Sequence, residues 1–213
     1  MNYEQAVSLA KGVCYHGLNE DDSETRKKLM HVQVYAGTGE IIASDVCSVF
    51  VGLVDRVPDS TLTPMLEHEA FEVAIGGPYV EGGLPCLDGW NTQRFDSKSM
   101  LESLRYGYST AGDISKSVPC GMYDSEEGFG ITVDNKPSGG ATPIGPVLFG
   151  VDTIRFGKAI ARAQAAGAET FTVAYGIAPS NIIVVGRCTY EVIAPYNWEG
   201  FDKYPLRRRT SVV

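Results

Sequence analysis

The sequence predicts an all-β fold: an antiparallel β-sandwich of jelly-roll type with one or two short helices. Three observations carry that expectation. Six to eight short runs rich in Val, Ile, Thr, Phe and Tyr alternate with turns supplied by 24 Gly and 11 Pro in 213 residues. At 44% hydrophobic residues the chain can bury one sizeable core, within the usual length of a single sandwich. The stretches between the strand-like runs are long, which is the jelly-roll variant of a sandwich.

Taken in order, residues 3–14 place Tyr3, Ala6, Val7, Ala10, Val13 and Cys14 at helical spacing, and Gly17 is the expected stop. Residues 1–28 thus read as an N-terminal helix and a charged connector, in which Glu20-Asp21-Asp22-Ser23-Glu24 precedes Arg26-Lys27-Lys28. Residues 29–195 read as the jelly-roll domain and 196–213 as a basic C-terminal tail. The first strand is expected at 30–35. Residues 41–54 are either one strand buried on both faces or two strands with a bend near Ser44-Asp45. Residues 69–75 alternate as a half-buried strand, with Phe71, Val73 and Ile75 inward.

In the middle of the chain a short helix is expected near 96–102. Either Asp96 is its N-cap, or Ser99 and Glu102 form a capping box. Short strands follow at 105–110 and 129–134. Residues 152–169 read two ways: Phe156, Ile160 and Ala163 have helical spacing with Gly167 as a cap, or 151–156 is a strand followed by a short alanine-rich helix or a long bend, the order favoured here. The chain closes on an antiparallel hairpin, 170–177 with 182–193, ended by Pro195. No internal repeat is evident.

Composition narrows function by exclusion. No apolar run approaches 18 residues, so no membrane span is expected. The N-terminus lacks the charged and apolar regions of a secretory signal. Cys14, Cys47, Cys86, Cys120 and Cys188 are too widely spaced for a zinc ribbon or redox pair, and an odd count argues against a disulfide framework. The net charge of −8 disfavours nucleic-acid binding by the body of the chain. Weak nucleic-acid contact falls instead to Arg207, Arg208 and Arg209.

Chemical motifs are absent or incomplete, and no enzyme is expected. His68, between Glu67 and Glu69, has no spaced partner in His16 or His31 and reads as a solvated histidine. Gly107-Tyr108-Ser109-Thr110-Ala111-Gly112 misses the nucleophile-elbow spacing by one residue. The glycine pairs Gly76-Gly77 and Gly139-Gly140 match no phosphate-binding loop. Asp124-Ser125-Glu126-Glu127-Gly128 breaks the calcium-loop pattern, so no cofactor is expected, with calcium at subunit interfaces left open. Trp90 and Trp198 are the residues a sugar-binding sandwich would use.

The closing third resembles a known family. Val118-Pro119-Cys120-Gly121-Met122-Tyr123, then Phe149 to Ile154, the hairpin 171–193 and an arginine-bearing tail are similar to the last strands of capsid shells. The likeness is to nodavirus-like and tombusvirus-like RNA viruses and covers residues 118–213. It implies a structural capsid protein that self-assembles into an icosahedral virion shell around viral RNA. Localisation would be the virion, assembled in host cytoplasm. Two features depart from that family: the N-terminus carries no long basic arm, and the domain is acidic. The alternatives are a carbohydrate- or receptor-binding β-sandwich of phage-tail or adhesion type, and a hydrolase built around His68.

Overall fold

The computed structural model describes residues 1–17, 23–59, 62–111, 119–125, 128–133, 136–138, 143–176 and 181–195. Its chain order is α1 (Tyr3–Lys11), α2 (Glu24–Lys28), β1 (Gln33–Tyr35), β2 (Glu40–Ser44), β3 (Ser48–Leu53), α3 (His68–Ile75), β4 (Asn91–Asp96) and α4 (Ser97–Ala111). There follow β5 (Pro119–Ser125), β6 (Gly128–Val133), β7 (Lys136–Ser138), β8 (Pro143–Asp152), α5 (Thr153–Ala165), β9 (Thr170–Tyr175), β10 (Ile182–Val185) and β11 (Thr189–Ile193). One sheet has seven strands in the order β1-β2-β3-β11-β10-β9-β4, and the other has four, β7-β6-β5-β8.

This is a mixed α/β architecture, and the all-β jelly-roll expectation is overturned. Helices α4 and α5 pack on each other and on both sheets. They lie over one continuous core that takes Phe156 and Ile160 from α5, Leu104 from α4, Phe171 and Val184 from the larger sheet, and Met122 and Val151 from the smaller. Neither helix is peripheral, as the short helices of a sandwich would be.

The element order contains a repeat that the residues do not display. With the short helices α2 and α3 set aside, the chain runs α1-β1-β2-β3, then β4-α4-β5-β6-β7 and then β8-α5-β9-β10-β11. The last two units exchange their leading strands: β4 pairs with β9 of the later unit, and β8 pairs with β5 of the earlier one. Both strand-to-helix junctions use the same device. Asp96 Oδ1 accepts from the Ser99 amide at 2.7 Å, and Asp152 Oδ1 accepts from the Arg155 amide at 2.8 Å. An aspartate there satisfies an amide that the helix start leaves unpaired and places negative charge at the positive end of the helix.

Several local expectations hold. Helix α1 forms over Tyr3–Lys11, although Gly12 rather than Gly17 ends it. Residues 41–54 are two antiparallel strands, and Asp45 takes the bend by accepting from the Cys47 and Ser48 amides. Val46 there adopts φ 77, a left-handed backbone that costs a β-branched residue energy. Asp96 is the N-cap of α4.

Others fail for identifiable reasons. Residues 69–75 form helix α3, with Phe71 and Ile75 buried on one stripe and Val73 82% exposed. Spacing of two and of four both bury Phe71 and Ile75, so a short apolar pattern does not separate strand from helix. Residues 105–110 belong to α4. Residues 182–193 are two strands divided at Gly186, so the closing hairpin is a three-stranded meander. The strand expected over 151–156 is only the end of β8, which stops at Asp152, because α5 begins at Thr153.

Candidate functional site

The seven-stranded sheet carries different chemistry on its two faces. On one lie α1 and α5, with α4 beside α5; on the other lies α3. Strand alternation produces this division: Phe50 and Glu191 face the first side, Val51 and Val192 the second.

On the helical side, α5 buries Phe156, Ala159, Ile160 and Ala163 and exposes Lys158, while Arg155 and Arg162 are engaged by acids of the sheet side. Arg155, Lys158 and Arg162 stand at spacings that put them on neighbouring turns. Arg162 forms a bidentate pair with buried Glu191, at 2.9 and 2.7 Å. Burial pushes the Glu191 carboxyl up, against the pull of that guanidinium. Arg155 ion-pairs with Asp45 at the bend between β2 and β3, tying the first unit to α5. Lys158 is exposed and makes no ion pair with a described residue.

Helix α4 presents Lys98 and Arg105 from the same side, two turns apart. Arg105 and Lys158 flank a groove of about 320 Å³ between α4 and α5, floored by Leu101, Leu104, Ile154 and Gly157. A second hollow of about 250 Å³, bordered by Asp45, Ser48, Asp152, Arg155 and Arg162, shares Lys158 with it, so acids and cations line it together. Across α4 and α5 there are five cations and one acid, Glu102, in a chain of net charge −8.

On the other side, Glu40 of β2 is fully buried. His68 Nε2 lies 2.7 Å from Glu40 Oε2, and the Tyr79 hydroxyl donates to the same carboxylate at 3.1 and 3.2 Å. Tyr79 is also 2.6 Å from His68 Nε2. Burial and the nearby Glu40 charge push the Tyr79 and Tyr35 phenols up, so both remain protonated donors. Tyr35 donates to the Leu66 carbonyl at 2.9 Å.

The histidine is therefore not the solvated residue the sequence implies, and its neighbours Glu67 and Glu69 are not its partner. Its Nε2 is engaged inward by Glu40 and Tyr79, so it does not present a free base to the adjoining hollow. Among the described residues, no serine or cysteine lines that hollow, whose rim carries Glu69, Glu72 and Glu81. The cluster ties α3 to the sheet. The signal missed in the sequence was Glu40, a lone acid leading an apolar strand.

Among the described residues, no group of three or more His, Cys, Asp or Glu could hold a metal ion. No helix among them is long and apolar enough to cross a membrane. Arg207, Arg208, Arg209 and Trp198 lie outside the described residues, as do Glu126 and Glu127 of the calcium-like stretch.

No protein-family model and no curated relative matches the chain. Solved structures do. A putative DNA polymerase III beta subunit from Eubacterium rectale aligns over 92% of this chain and 64% of its own, with TM-score 0.58 and 10% identity. The Helicobacter pylori beta clamp bound to a DNA ligase peptide aligns over 91% and 63%, with TM-score 0.55 and 10% identity. The Bacillus subtilis DNA polymerase sliding clamp aligns over 92% and 62%, with TM-score 0.53 and 11% identity. The chain thus spans less than two thirds of the length of these neighbours.

These neighbours correct the capsid reading. The strands of residues 118–213 that resembled a viral shell are divided between two sheets and separated by α5, and the similar structures are clamps. Neither an icosahedral shell, viral RNA as partner, a virion location nor a carbohydrate-binding sandwich is supported. At this level of identity the likeness is one of architecture: the chain has the fold of bacterial sliding clamps.

Proposed function

We propose that this chain is a non-catalytic, clamp-type DNA-tethering protein whose α4–α5 face meets the phosphates of duplex DNA. One observation carries the reading: α4 and α5 expose Lys98, Arg105 and Lys158, with Glu102 the one exposed acid on these helices, in an acidic chain whose architecture is that of DNA clamps. Lys98, Arg105 and Lys158 are the contact residues. Arg155 and Arg162 are positioning residues, because their charges are matched by Asp45 and Glu191.

Contacts of this kind neutralise backbone phosphates and read no sequence, which suits a protein that must stay on DNA without choosing a site. The reading calls on no cofactor, and DNA and DNA-replication proteins take the place of viral RNA as partners. A neighbour of the same architecture is named as binding a DNA ligase peptide.

Fluorescence anisotropy with a short labelled duplex at low salt tests it. The double variant Arg105→Glu/Lys158→Glu should weaken binding at least tenfold. The control Glu69→Lys/Glu72→Lys, on the other face, should leave a binding surface that still depends on Arg105 and Lys158. Equal binding by wild type and the helix-face variant would remove the assignment.

A further inference from the structure

The groove between α4 and α5 has a feature that duplex DNA does not use. Its floor is apolar, whereas a phosphate backbone brings charged oxygens to the cations at its rim. Among the described residues, Ile154 is half-buried and joins none of the three apolar cores, so it borders the groove without closing against the protein. Leu101, on α4, is also only partly buried.

Gly157 keeps the groove open. A glycine in mid-helix weakens the helix relative to alanine, and the packing of α5 does not require one. A Cβ at position 157 would meet only Leu104 Cδ1, at 3.8 Å, an ordinary contact, and the backbone there is helical. The absent side chain leaves room over Leu104 instead.

The charges lining the groove are Arg105 and Lys158; Glu102, the acid of α4, does not line it. Both cations are exposed, and neither makes an ion pair with a described residue. Thr153 also borders the groove, but its hydroxyl is hydrogen-bonded to the Cys120 thiol. The donors on offer are one guanidinium fork and one ammonium. The two oxygens of a carboxylate satisfy them, whereas a phosphate monoester, with three oxygens and about two charges, would be left partly unpaired.

We infer that the α4–α5 groove binds a free medium-chain carboxylate, with its chain over Leu104 and Gly157 and its head group on Arg105 and Lys158. At about 320 Å³ the groove is at the small end of ligand pockets. Its α5 wall, residues 154–161, rises over about 10 Å, enough to seat one short acyl chain. Its α4 wall, residues 101–105, is a single turn of about 6 Å, less than the two turns of anchoring side chains that a docked helix lays down. The head group takes the cations assigned to DNA, so a bound carboxylate excludes phosphate there, a consequence that rests on the proposed DNA contact.

Calorimetric titration of the full chain with decanoate, below its micelle concentration and without DNA, tests the site. Wild type should bind saturably, and affinity should rise about fourfold per methylene from hexanoate through octanoate to decanoate. Gly157→Leu fills the groove and favours the helix, so it should fold and bind decanoate about tenfold more weakly. Decyltrimethylammonium, of the same chain length and opposite charge, should bind wild type about tenfold more weakly than decanoate. Absence of decanoate binding would overturn the inference. Equal binding by Gly157→Leu, or of the cationic amphiphile, would do the same. If Gly157→Leu does not fold, the chain-length series and the head-group comparison on wild type decide. With labelled duplex added, saturating decanoate should weaken DNA binding by wild type. If decanoate binds and duplex binding is unaffected, the DNA assignment of Arg105 and Lys158 fails and the carboxylate site stands.

Discussion

The two faces of the seven-stranded sheet are built from the same strands and carry different charged groups. The helical face has Arg155, Lys158 and Arg162 on α5 and no acid on that helix, while residues 67–81 on the other face hold Glu67, Glu69, Glu72 and Glu81 and no lysine or arginine. Each face also buries one carboxylate from the sheet. Glu191 is matched by a guanidinium, whereas Glu40 is held by an imidazole and a phenol. The first arrangement pairs the carboxylate with a permanent cation; the second holds it by hydrogen bonds from two rings. On one face the buried carboxylate fixes an arginine of α5 beside exposed Lys158; on the other it anchors a helix.

The largest expected effect tests the first arrangement. Arg162→Ala leaves Glu191 buried without its cation and should cost about 3–5 kcal/mol, read from urea denaturation. On the opposite face His68→Ala leaves Glu40 still accepting from Tyr79. There the expected cost is smaller, about 1–3 kcal/mol. Equal costs would mean that the two carboxylates are held alike.

A pH profile separates the faces further. Burial raises the folded-state affinity of Glu191 for its proton above that of the unfolded chain. Its contribution to stability is thus full below the ordinary glutamate range, about 4.3, and is lost as pH rises through the raised value. Glu191→Gln should flatten that descending part of the profile, measured by denaturation from pH 4 to 7. The smallest expected effect concerns α3. Val73→Ser should change stability by less than about 0.5 kcal/mol, because Val73 is exposed on the helix. A large loss would restore the strand reading in which Val73 points inward.

The residues disclose some of this and conceal the rest for physical reasons. The strands at 41–54 and 170–193 were legible because runs of β-branched residues bounded by turn residues have few other stable conformations. The N-cap role of Asp96 was visible as one of two candidates. Helix α3 was not, because eight residues with apolar positions two and four apart satisfy both periods. The α4–α5 face was hidden more deeply. Its cations are scattered over residues 98–162 in a chain of net negative charge, and only packing of the two helices brings Arg105 and Lys158 to one groove. The repeat was hidden because its units share element order and a single capping aspartate, with little else in common.

The central claim is that exposed cations on the helical face neutralise DNA phosphates. The most direct measurement is the salt dependence of duplex binding by wild type and Lys158→Glu. Three contacts predict a slope of log affinity against log salt of roughly −3, and the substitution should reduce its magnitude by about 1. A slope that Lys158→Glu leaves unchanged would contradict the account.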